Sequence, residues 1–185
     1  MIIDLISTRR AVFPVQYMDE PITEKELKTI LEAANWAPTH RRTEPWRFKV
    51  FHSEEARKNL SEFLGSTYRE ITDPISEVKF RKIVDKPLQS GCVMAICMQR
   101  DPKESVPEWE EIASTAMAVQ NMWLTAISMG IGCYWSTPNL KDHMDKHITL
   151  SRGEKCLGFF YMGKYNGSLP EGTRKTTIAE KTEWI

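Results

Sequence analysis

Gly130-Ile131-Gly132-Cys133-Tyr134-Trp135-Ser136-Thr137-Pro138 follows the longest apolar helical pattern in the chain, which runs from Pro107 to Met129. The order predicts a buried helix, a glycine turn, a short strand and a bend at Pro138. Because glycine has no Cβ, a turn with two glycines lets the backbone approach a flat or phosphorylated ligand closely. Trp135 could line such a site, and Ser136 and Thr137 could donate hydrogen bonds to the ligand. The alternative interpretation is a tight helix-to-strand connection inside a packed core.

The predicted helix from Pro107 to Met129 is apolar around much of its circumference. Such a helix must be covered on most sides, by its own sheet, by other helices or by a second subunit. The tail from Lys164 to Ile185 is polar and rich in turn residues, and it has little to fold around by itself. We therefore expect a single domain over residues 1–185, in which residues 164–185 form a C-terminal extension that docks on a partner subunit.

Periodic patterns predict the remaining helices and strands. Thr23-x-x-Glu26 is a capping box, and apolar residues follow it at helical spacing. Ser53 caps a further helix, and residues 65–87 predict a mobile helical cover. Strand patterns lie at residues 46–50, 92–98, 133–135 and 156–162. The second of these is continuously apolar, as in a central strand buried on both faces. Four short strands mixed with five or more helices indicate the α+β class.

Composition narrows the classes of function. The chain has 185 residues, which fits one domain, and its 25 Lys and Arg balance its 25 Asp and Glu. A zero net charge gives no global field that would favour nucleic acid or an anionic membrane. The apolar start of the chain is interrupted by Asp4 and followed by Arg9 and Arg10. We therefore expect neither a signal peptide nor a membrane span.

The four cysteines, Cys92, Cys97, Cys133 and Cys156, lie in apolar surroundings and contain no C-x-x-C pair. This pattern indicates buried free thiols in a reducing cytoplasm, not a disulfide framework or a zinc site. His143 and His147 have the spacing of metal ligands on a helix, but they lack the glutamate of the H-E-x-x-H pattern. We interpret them as part of a solvated helix face.

Two basic clusters are candidates for binding an anion. Arg9 and Arg10 follow a predicted helix and could grip a phosphate through charge-assisted hydrogen bonds, or could simply complement the helix dipole. His40-Arg41-Arg42 forms a second cluster, which could equally be a solvated loop. No P-loop, complete Rossmann fingerprint or nucleophile elbow accompanies them. The inventory contains arginines that could grip a phosphate, tryptophans that could form aromatic walls, and no side-chain catalytic machinery, which suits a protein whose bound cofactor does the chemistry.

Several blocks, in order and spacing over roughly residues 1–165, resemble the FMN-dependent nitroreductase family, and most closely its short, minimal branch. The blocks are Ser7-Thr8-Arg9-Arg10-Ala11, Ala33-Ala34-Asn35-Trp36-Ala37-Pro38-Thr39-His40, Glu44-Pro45-Trp46, Val106-Pro107-Glu108-Trp109-Glu110, Met129-Gly130-Ile131-Gly132, Trp135-Ser136-Thr137 and Leu157-Gly158-Phe159-Phe160-Tyr161-Met162-Gly163. The resemblance implies a mixed or antiparallel sheet flanked by helices, in an intertwined homodimer with FMN at the subunit interface. The long central helix would form the dimer core.

The resemblance also assigns candidate cofactor-binding residues, and it implies neither a catalytic side chain nor a metal. The phosphate and pyrimidine edge of FMN would meet Arg9, Arg10 and Ala11 of one subunit. Trp36 and His40 would come from the partner subunit. The flavin ring would be bordered by Trp135, Ser136 and Thr137. A looser match suggests Arg174 and Lys175 as further phosphate ligands.

The sequence departs from the family pattern at three positions. Ala11 stands where serine is usual, so one hydroxyl is missing, and Glu44 stands where glutamine is common. Pro138 has no N–H, so a backbone donor to the flavin N5 atom must come from Ser136 or Thr137. The first two changes could each weaken FMN binding by about 1 kcal/mol if those groups touch the cofactor.

The function implied by the resemblance is the reduction of nitroaromatics, quinones or similar electron-poor acceptors by NADH or NADPH, in a cytoplasmic homodimer that binds neither nucleic acid nor membrane. Two alternatives remain open at this point. One is a flavin- or nucleotide-binding carrier or sensor without turnover. The other is an interaction module that uses the basic loop from His40 to Arg42 to bind an anionic partner.

Overall fold

The computed structural model describes all 185 residues and contains five α-helices and four strands. The helices are α1 (Ile2–Thr8), α2 (Glu24–Asn35), α3 (Glu54–Ile71), α4 (Glu77–Gln89) and α5 (Glu108–Ser128). The strands are β1 (Trp46–Phe51), β2 (Cys92–Gln99), β3 (Ile131–Ser136) and β4 (Glu154–Lys164). Short 3-10 helices occupy Pro14–Gln16, His40–Arg42, Asn139–Lys146 and Ala179–Lys181.

The helix starts follow from local hydrogen bonding. The Thr23 hydroxyl accepts from the Glu26 backbone N–H at 3.3 Å, and the Glu26 carboxylate accepts from the Thr23 N–H at 2.8 Å. Two N–H groups at the start of α2 that would otherwise be unpaired are thereby satisfied, and the predicted capping box is confirmed. The Ser53 hydroxyl accepts from the Ala56 N–H at 3.1 Å and caps α3 in the predicted way.

The sheet has the strand order β1-β2-β4-β3, and every neighbouring pair is antiparallel. The two central strands, β2 and β4, contribute residues to the cores on both faces of the sheet, and Cys92 to Met98 are fully buried. This confirms the predicted central strand and the α+β class. The pairing of β2 with β4 shifts register between Ile96 and Cys97, opposite Leu157. Such a bulge leaves one residue unpaired and bends its strand.

Helices cover both faces of the sheet. On one face α2 and α5 pack over a core that includes Ile30, Ile96, Met122 and Phe160. On the other face α3 and the 3-10 helix at residues 139–146 pack over a second core, which includes Leu60, Val93, Met144 and Phe159. The sheet therefore forms the middle layer of three. Five blocks of sequence that are far apart along the chain meet at the end of this layer, where the candidate site lies.

Three local features differ from the sequence prediction. The alternation in β1 breaks, because Val50 is exposed and Phe51 is buried instead. Pro87 lies inside α4, where an edge was expected, and residues 65–71 belong to the last turns of α3. The segment with His143 is a 3-10 helix that ends at Lys146, and the ring of His147, the residue that follows it, stacks on Phe63 with centroids 4.6 Å apart. Its ring therefore packs into the protein and does not belong to a solvated face.

The long helix α5 is anchored at its start by a buried charge. Glu111 is fully buried, forms an ion pair with Arg100, and accepts a hydrogen bond from the Asp101 N–H at 2.8 Å. The predicted buried cysteines are confirmed, since all four are buried free thiols. None of the helices combines the length and the apolar character needed to cross a membrane.

Candidate functional site

The arginine pair lies where α1 ends and the chain turns along the edge of the sheet. The Val12 N–H donates to the Cys133 carbonyl at 3.0 Å, which holds residues 9–13 against β3. Gly132 permits this approach, because a Cβ there would lie 2.6 Å from the Val12 Cβ. The predicted glycine turn thus serves close contact between two backbone segments. Its effect is to fix Arg9 and Arg10 beside β3 and α5.

Arg9 lies on an aromatic wall that continues to Trp135. Its guanidinium carbon is 4.5 Å from the centroid of Trp123, a residue of α5. Trp123 meets Phe160 edge to face, with ring centroids 5.5 Å apart. Phe160 of β4 pairs with Trp135 of β3, and both aromatic residues of the sheet pack with Trp123 against the same core. The structure therefore brings the first arginine and Trp135 to one continuous surface.

Three guanidinium groups gather at this place without a carboxylate partner. Burial lowers the pKa of Arg9 below its usual value, and the nearby charges of Arg10 and Arg174 lower it further. None of the ion pairs in the chain involves any of the three. Clustered positive charges that repel one another favour a bound anion, because the anion removes the repulsion.

Arg10 also ties the C-terminal tail to α1. Its Nε donates to the Pro170 carbonyl at 3.0 Å, and its Nη1 donates to the Ser7 carbonyl at 2.7 Å. Gly172 lies so close that a Cβ there would overlap the guanidinium, at 2.1 Å from Nη2. The tail thus carries Arg174 to the arginine pair. Lys175, the next residue, is exposed.

Two buried indole N–H groups in this wall have no hydrogen-bond partner, those of Trp123 and Trp135. A buried donor left unpaired costs about 1–3 kcal/mol, so both groups fit a site that a ligand with acceptor atoms would complete. Gly158 lies under the end of β3, where a Cβ would come within 2.7 Å of the Trp135 Nε1 atom and 2.6 Å of the Ser136 carbonyl oxygen. Ser136 is half-buried and Thr137 is exposed at this end of the strand.

Trp36 and His40 lie away from the arginine cluster of their own chain. Trp36 is 78% exposed at the end of α2, and its indole donates to the Glu32 carboxylate at 3.0 Å. The His40 Nδ1 atom is 2.6 Å from the Glu110 carboxylate in the first turn of α5. The points on α5 that touch His40 and Arg9 are separated by about 20 Å of helix axis. One chain therefore does not bring His40 to the arginine cluster.

The remaining predicted positions are less informative. Ala11 is half-buried between the arginine pair and the Val12 contact, and Glu44 is exposed. The backbone is strained in the basic loop and just after it, since Arg41 and Arg42 have φ values of 51° and 55° and Glu44 has a φ of 44°. No group of three or more His, Cys, Asp or Glu side chains is arranged to hold a metal ion.

Sequence reasoning did not assign two features of this site. The contact of Arg9 with Trp123 joins residues far apart in sequence, and no local pattern reports it. Gly158 belongs to one of the blocks that resemble the family, yet its φ of 147° and its lack of a Cβ also shape the surface under Trp135. The signal available in sequence was a glycine inside an otherwise apolar strand, which often marks a bulge or close approach.

Comparison with known proteins agrees with this architecture. A solved nitroreductase-like family protein from Bacillus cereus is 28% identical, with a TM-score of 0.85, over 100% of this chain and 96% of the other. A solved nitroreductase with bound FMN from Bacteroides fragilis is 21% identical, with a TM-score of 0.73, over 100% and 98% of the two chains. At that identity the likeness concerns the fold alone.

Among named sequences, the Bacillus subtilis protein "Putative NAD(P)H nitroreductase YfhC" is 26% identical over 180 residues, which cover 96% of this chain and 91% of the relative. The sequence profile of the nitroreductase family matches residues 6–164. That range spans every strand and helix that forms the two cores. The chain belongs to the nitroreductase family.

Proposed function

We propose that this chain is an FMN-dependent oxidoreductase that uses NADH or NADPH to reduce nitroaromatics, quinones or similar electron-poor acceptors. The observation that carries the proposal is the cluster of the Arg9, Arg10 and Arg174 guanidinium groups, which have no carboxylate partner, beside the wall of Trp123 and Trp135. The names of relatives support it, since one is named "Putative NAD(P)H nitroreductase YfhC" and one solved relative is named a nitroreductase with bound FMN.

The residues fit the two ends of FMN. Arg9 has no partner for its hydrogen-bond donors, so it can bind the phosphate in a charge-assisted, bidentate way. Arg10 and Arg174 add positive charge, which also favours negative charge that develops on a nearby ring. The unpaired indole N–H groups of Trp123 and Trp135 offer donors to ring or ribityl oxygens. When bound, FMN would supply hydride transfer at its N5 atom, from the nicotinamide and then to the acceptor, in a ping-pong sequence.

The proposal requires a homodimer. His40 and Trp36 would complete the site of the partner subunit, since they lie away from the arginine cluster of their own chain. Exposed apolar side chains support this arrangement, among them Ile2, Ile3 and Ile6 of α1 and Trp109, Ile112 and Met117 of α5. In this arrangement α5 forms the dimer core. Residues 164–185 form a C-terminal extension of a single domain that spans residues 1–185, and beyond the contact of Pro170 with Arg10 this extension docks on the partner.

Other parts of the proposal concern the setting of the enzyme. Four reduced thiols support a cytoplasmic location. The balanced charge supports small-molecule partners over nucleic acid or membrane surfaces. Ala11, Glu44 and Pro138 remain departures from the family pattern. Of the three, the exposed carboxylate of Glu44 is the one whose effect a measurement of FMN affinity would detect.

The deciding experiment is a visible absorption spectrum of the purified protein, followed by anaerobic addition of NADH and NADPH separately. We expect a yellow protein, or one that becomes yellow with added FMN, and bleaching by at least one coenzyme. A protein that stays colourless after incubation with FMN contradicts the proposal. Bound FMN without bleaching, and without oxidation of NADH or NADPH by any acceptor, would instead identify a carrier or sensor.

Arg9→Ala tests the assigned phosphate contact. Loss of hydrogen bonds to a charged phosphate should cost about 1.5–3 kcal/mol, which weakens FMN binding by about 10- to 150-fold. The FMN affinity of Arg9→Lys should lie between those of wild type and Arg9→Ala, because an ammonium keeps the charge and loses the bidentate geometry. Arg81→Ala, on the exposed surface of α4, is the matched control. Fluorescence titration with FMN gives the dissociation constants, and equal values for all four proteins would refute the assignment.

A further inference from the structure

Cys97 and Cys156 face each other across the two central strands. They are direct partners in the antiparallel pairing of β2 with β4, and their side chains lie in the same core, on the face covered by α3. Both residues are buried free cysteines. The Cys97 thiol donates to the Ala95 carbonyl at 3.9 Å, and the Cys156 thiol donates to the Gly158 carbonyl at 3.5 Å. The two cysteines are thus cross-strand neighbours in the reduced protein.

The strand geometry suits a disulfide at this position. Directly opposite residues of antiparallel strands have Cα atoms about 4.5–5.5 Å apart, inside the range of about 4.4–6.8 Å found for disulfides. The register shift between Ile96 and Cys97 adjoins the pair, and Gly158 follows two residues after Cys156. A bulge and a glycine give the β4 backbone room to adjust. Closing the bond therefore requires little movement of the sheet.

The two cysteines differ in access and in acidity. Cys156 lines a surface cavity of about 290 Å³, together with Lys141 and Lys155, whereas Cys97 is fully enclosed. The interaction with Cys97 lowers the pKa of the Cys156 thiol below its usual value, whereas the interaction with Cys156, together with burial, raises the pKa of Cys97. The thiolate is the nucleophilic form of cysteine. Cys156 is thus the first to react, and Cys97 is placed to resolve the product.

We propose that Cys97 and Cys156 form a peroxide-reactive pair, which hydrogen peroxide converts into an intramolecular disulfide. In the first step Cys156 sulfur bonds to one peroxide oxygen as the O–O bond breaks, giving a sulfenic acid and one water. In the second step Cys97 sulfur attacks the Cys156 sulfur, the S–O bond breaks, and a second water leaves with the proton of Cys97. Two thiols lose two electrons in total, and one peroxide is reduced to two waters. This inference does not rest on the proposed cofactor.

The other two cysteines provide an internal control in the same sheet. Cys92 pairs with Met162 of β4, and Met162 pairs in turn with Cys133 of β3. Cys92 and Cys133 are therefore two strand spacings apart, about 9.6 Å, which exceeds the limit of about 7 Å for a disulfide. Burial also raises the pKa of Cys92 to about 12. We expect this pair to stay reduced under the same treatment.

The test is disulfide mapping of the purified full-length protein after exposure to hydrogen peroxide. The protein is denatured, alkylated without reduction, digested and analysed by mass spectrometry. We expect two of the four thiols to be lost to alkylation and one cross-linked peptide pair, which joins Cys97 to Cys156. Four alkylated thiols after treatment, a bond between other cysteines, or a bond between two chains would overturn the proposal.

Two variants separate the roles of the cysteines. In Cys97→Ala the resolving thiol is absent, so the sulfenic acid of Cys156 should persist and react with dimedone. In Cys156→Ala neither the disulfide nor the dimedone adduct should form. Cys133→Ala is the matched control and should give the wild-type disulfide. Circular dichroism checks that each variant is folded, and the wild-type mapping decides the proposal even where a variant does not fold.

Discussion

Gly158 shows how one residue shapes the surface at the end of β3. Its φ of 147° is rarely adopted by residues with a side chain, and a Cβ would lie 2.6 Å from the Ser136 carbonyl oxygen. Both the backbone strain and the overlap oppose any substitution. The surface under Trp135 therefore depends on the absence of a single methyl group.

Gly158→Ala should reduce the free energy of unfolding by about 2–5 kcal/mol, because strain and overpacking add. Gly130→Ala is the control. Gly130 has a φ of 71° with no atom within 4 Å of the added Cβ, so strain alone should cost about 1–2 kcal/mol. Urea denaturation measures both values. Equal losses would show that the contact with β3 is not what requires glycine at position 158.

At the residue scale, sequence reasoning identified groups but not their neighbours. Arg9 and Arg10 were candidates for a phosphate site from their types alone, yet the stacking of Arg9 on Trp123 depends on how α1 packs against α5. Likewise, Glu111 lies in a pattern that predicts an apolar helix, and its burial is possible only because Arg100 is near. Such contacts join distant segments, and local patterns contain no information about them.

Glu26 links a helix cap to the sheet. One carboxylate oxygen accepts from the Thr23 backbone, and the other forms an ion pair with Lys164 at the end of β4. The hydrogen bond from Lys164 is the main reason that the pKa of Glu26 is lowered, and the contacts with Thr23 lower it further. A carboxylate with a lowered folded pKa stabilises the protein above its unfolded pKa, and that stability is lost as the pH falls through the folded pKa.

We expect wild-type protein to be more stable than Glu26→Gln near neutral pH, and the difference to shrink below about pH 4.3, the ordinary pKa of glutamate. Thermal unfolding between about pH 7 and pH 3 measures the difference. Glu55→Gln is the control, because Glu55 also lies in the first turn of a helix but makes no ion pair. A difference between wild type and Glu26→Gln that does not change with pH would contradict the assignment.

At the element scale, the sequence predicts well the structures that local patterns determine. Caps at Thr23 and Ser53 begin helices, and the apolar run of β2 is a central strand. The predicted alternation of buried and exposed residues in β1 was wrong beyond Phe48, since Val50 is exposed and Phe51 is buried against α3. The strand order β1-β2-β4-β3 was not predicted, because periodicity reports which face of a strand is buried and not which strand pairs with it.

For the whole molecule, the exposed apolar side chains of α1 and α5 predict a subunit interface. Met117 is 39% exposed near the middle of α5. Met117→Lys should raise the dimer dissociation constant by about 100-fold or more, since an unpaired ammonium at an interface costs several kcal/mol. The affinity for FMN should fall as the dimer is weakened, because Trp36 and His40 come from the partner in the proposed dimer.

Analytical ultracentrifugation and FMN titration measure the two effects together. Val78→Lys, at a residue of α4 that is 65% exposed, is the matched control and should leave both unchanged. Circular dichroism confirms that the variants are folded. Wild-type protein that binds FMN as a monomer would remove the need for a partner subunit.

The order of strands in the sheet also affects how the chain folds during synthesis. β4 is made last but lies between β2 and β3, so β3 has no neighbour and β2 lacks one until Glu154–Lys164 leaves the ribosome. At about 5–20 residues per second, roughly 3 to 11 s pass between completion of β2 and the start of β4. During that interval the apolar β2 edge is open to mispairing with other nascent chains. A chain that stops before β4 has a β1–β2 pair and no complete sheet, so it is a target for chaperones and proteases.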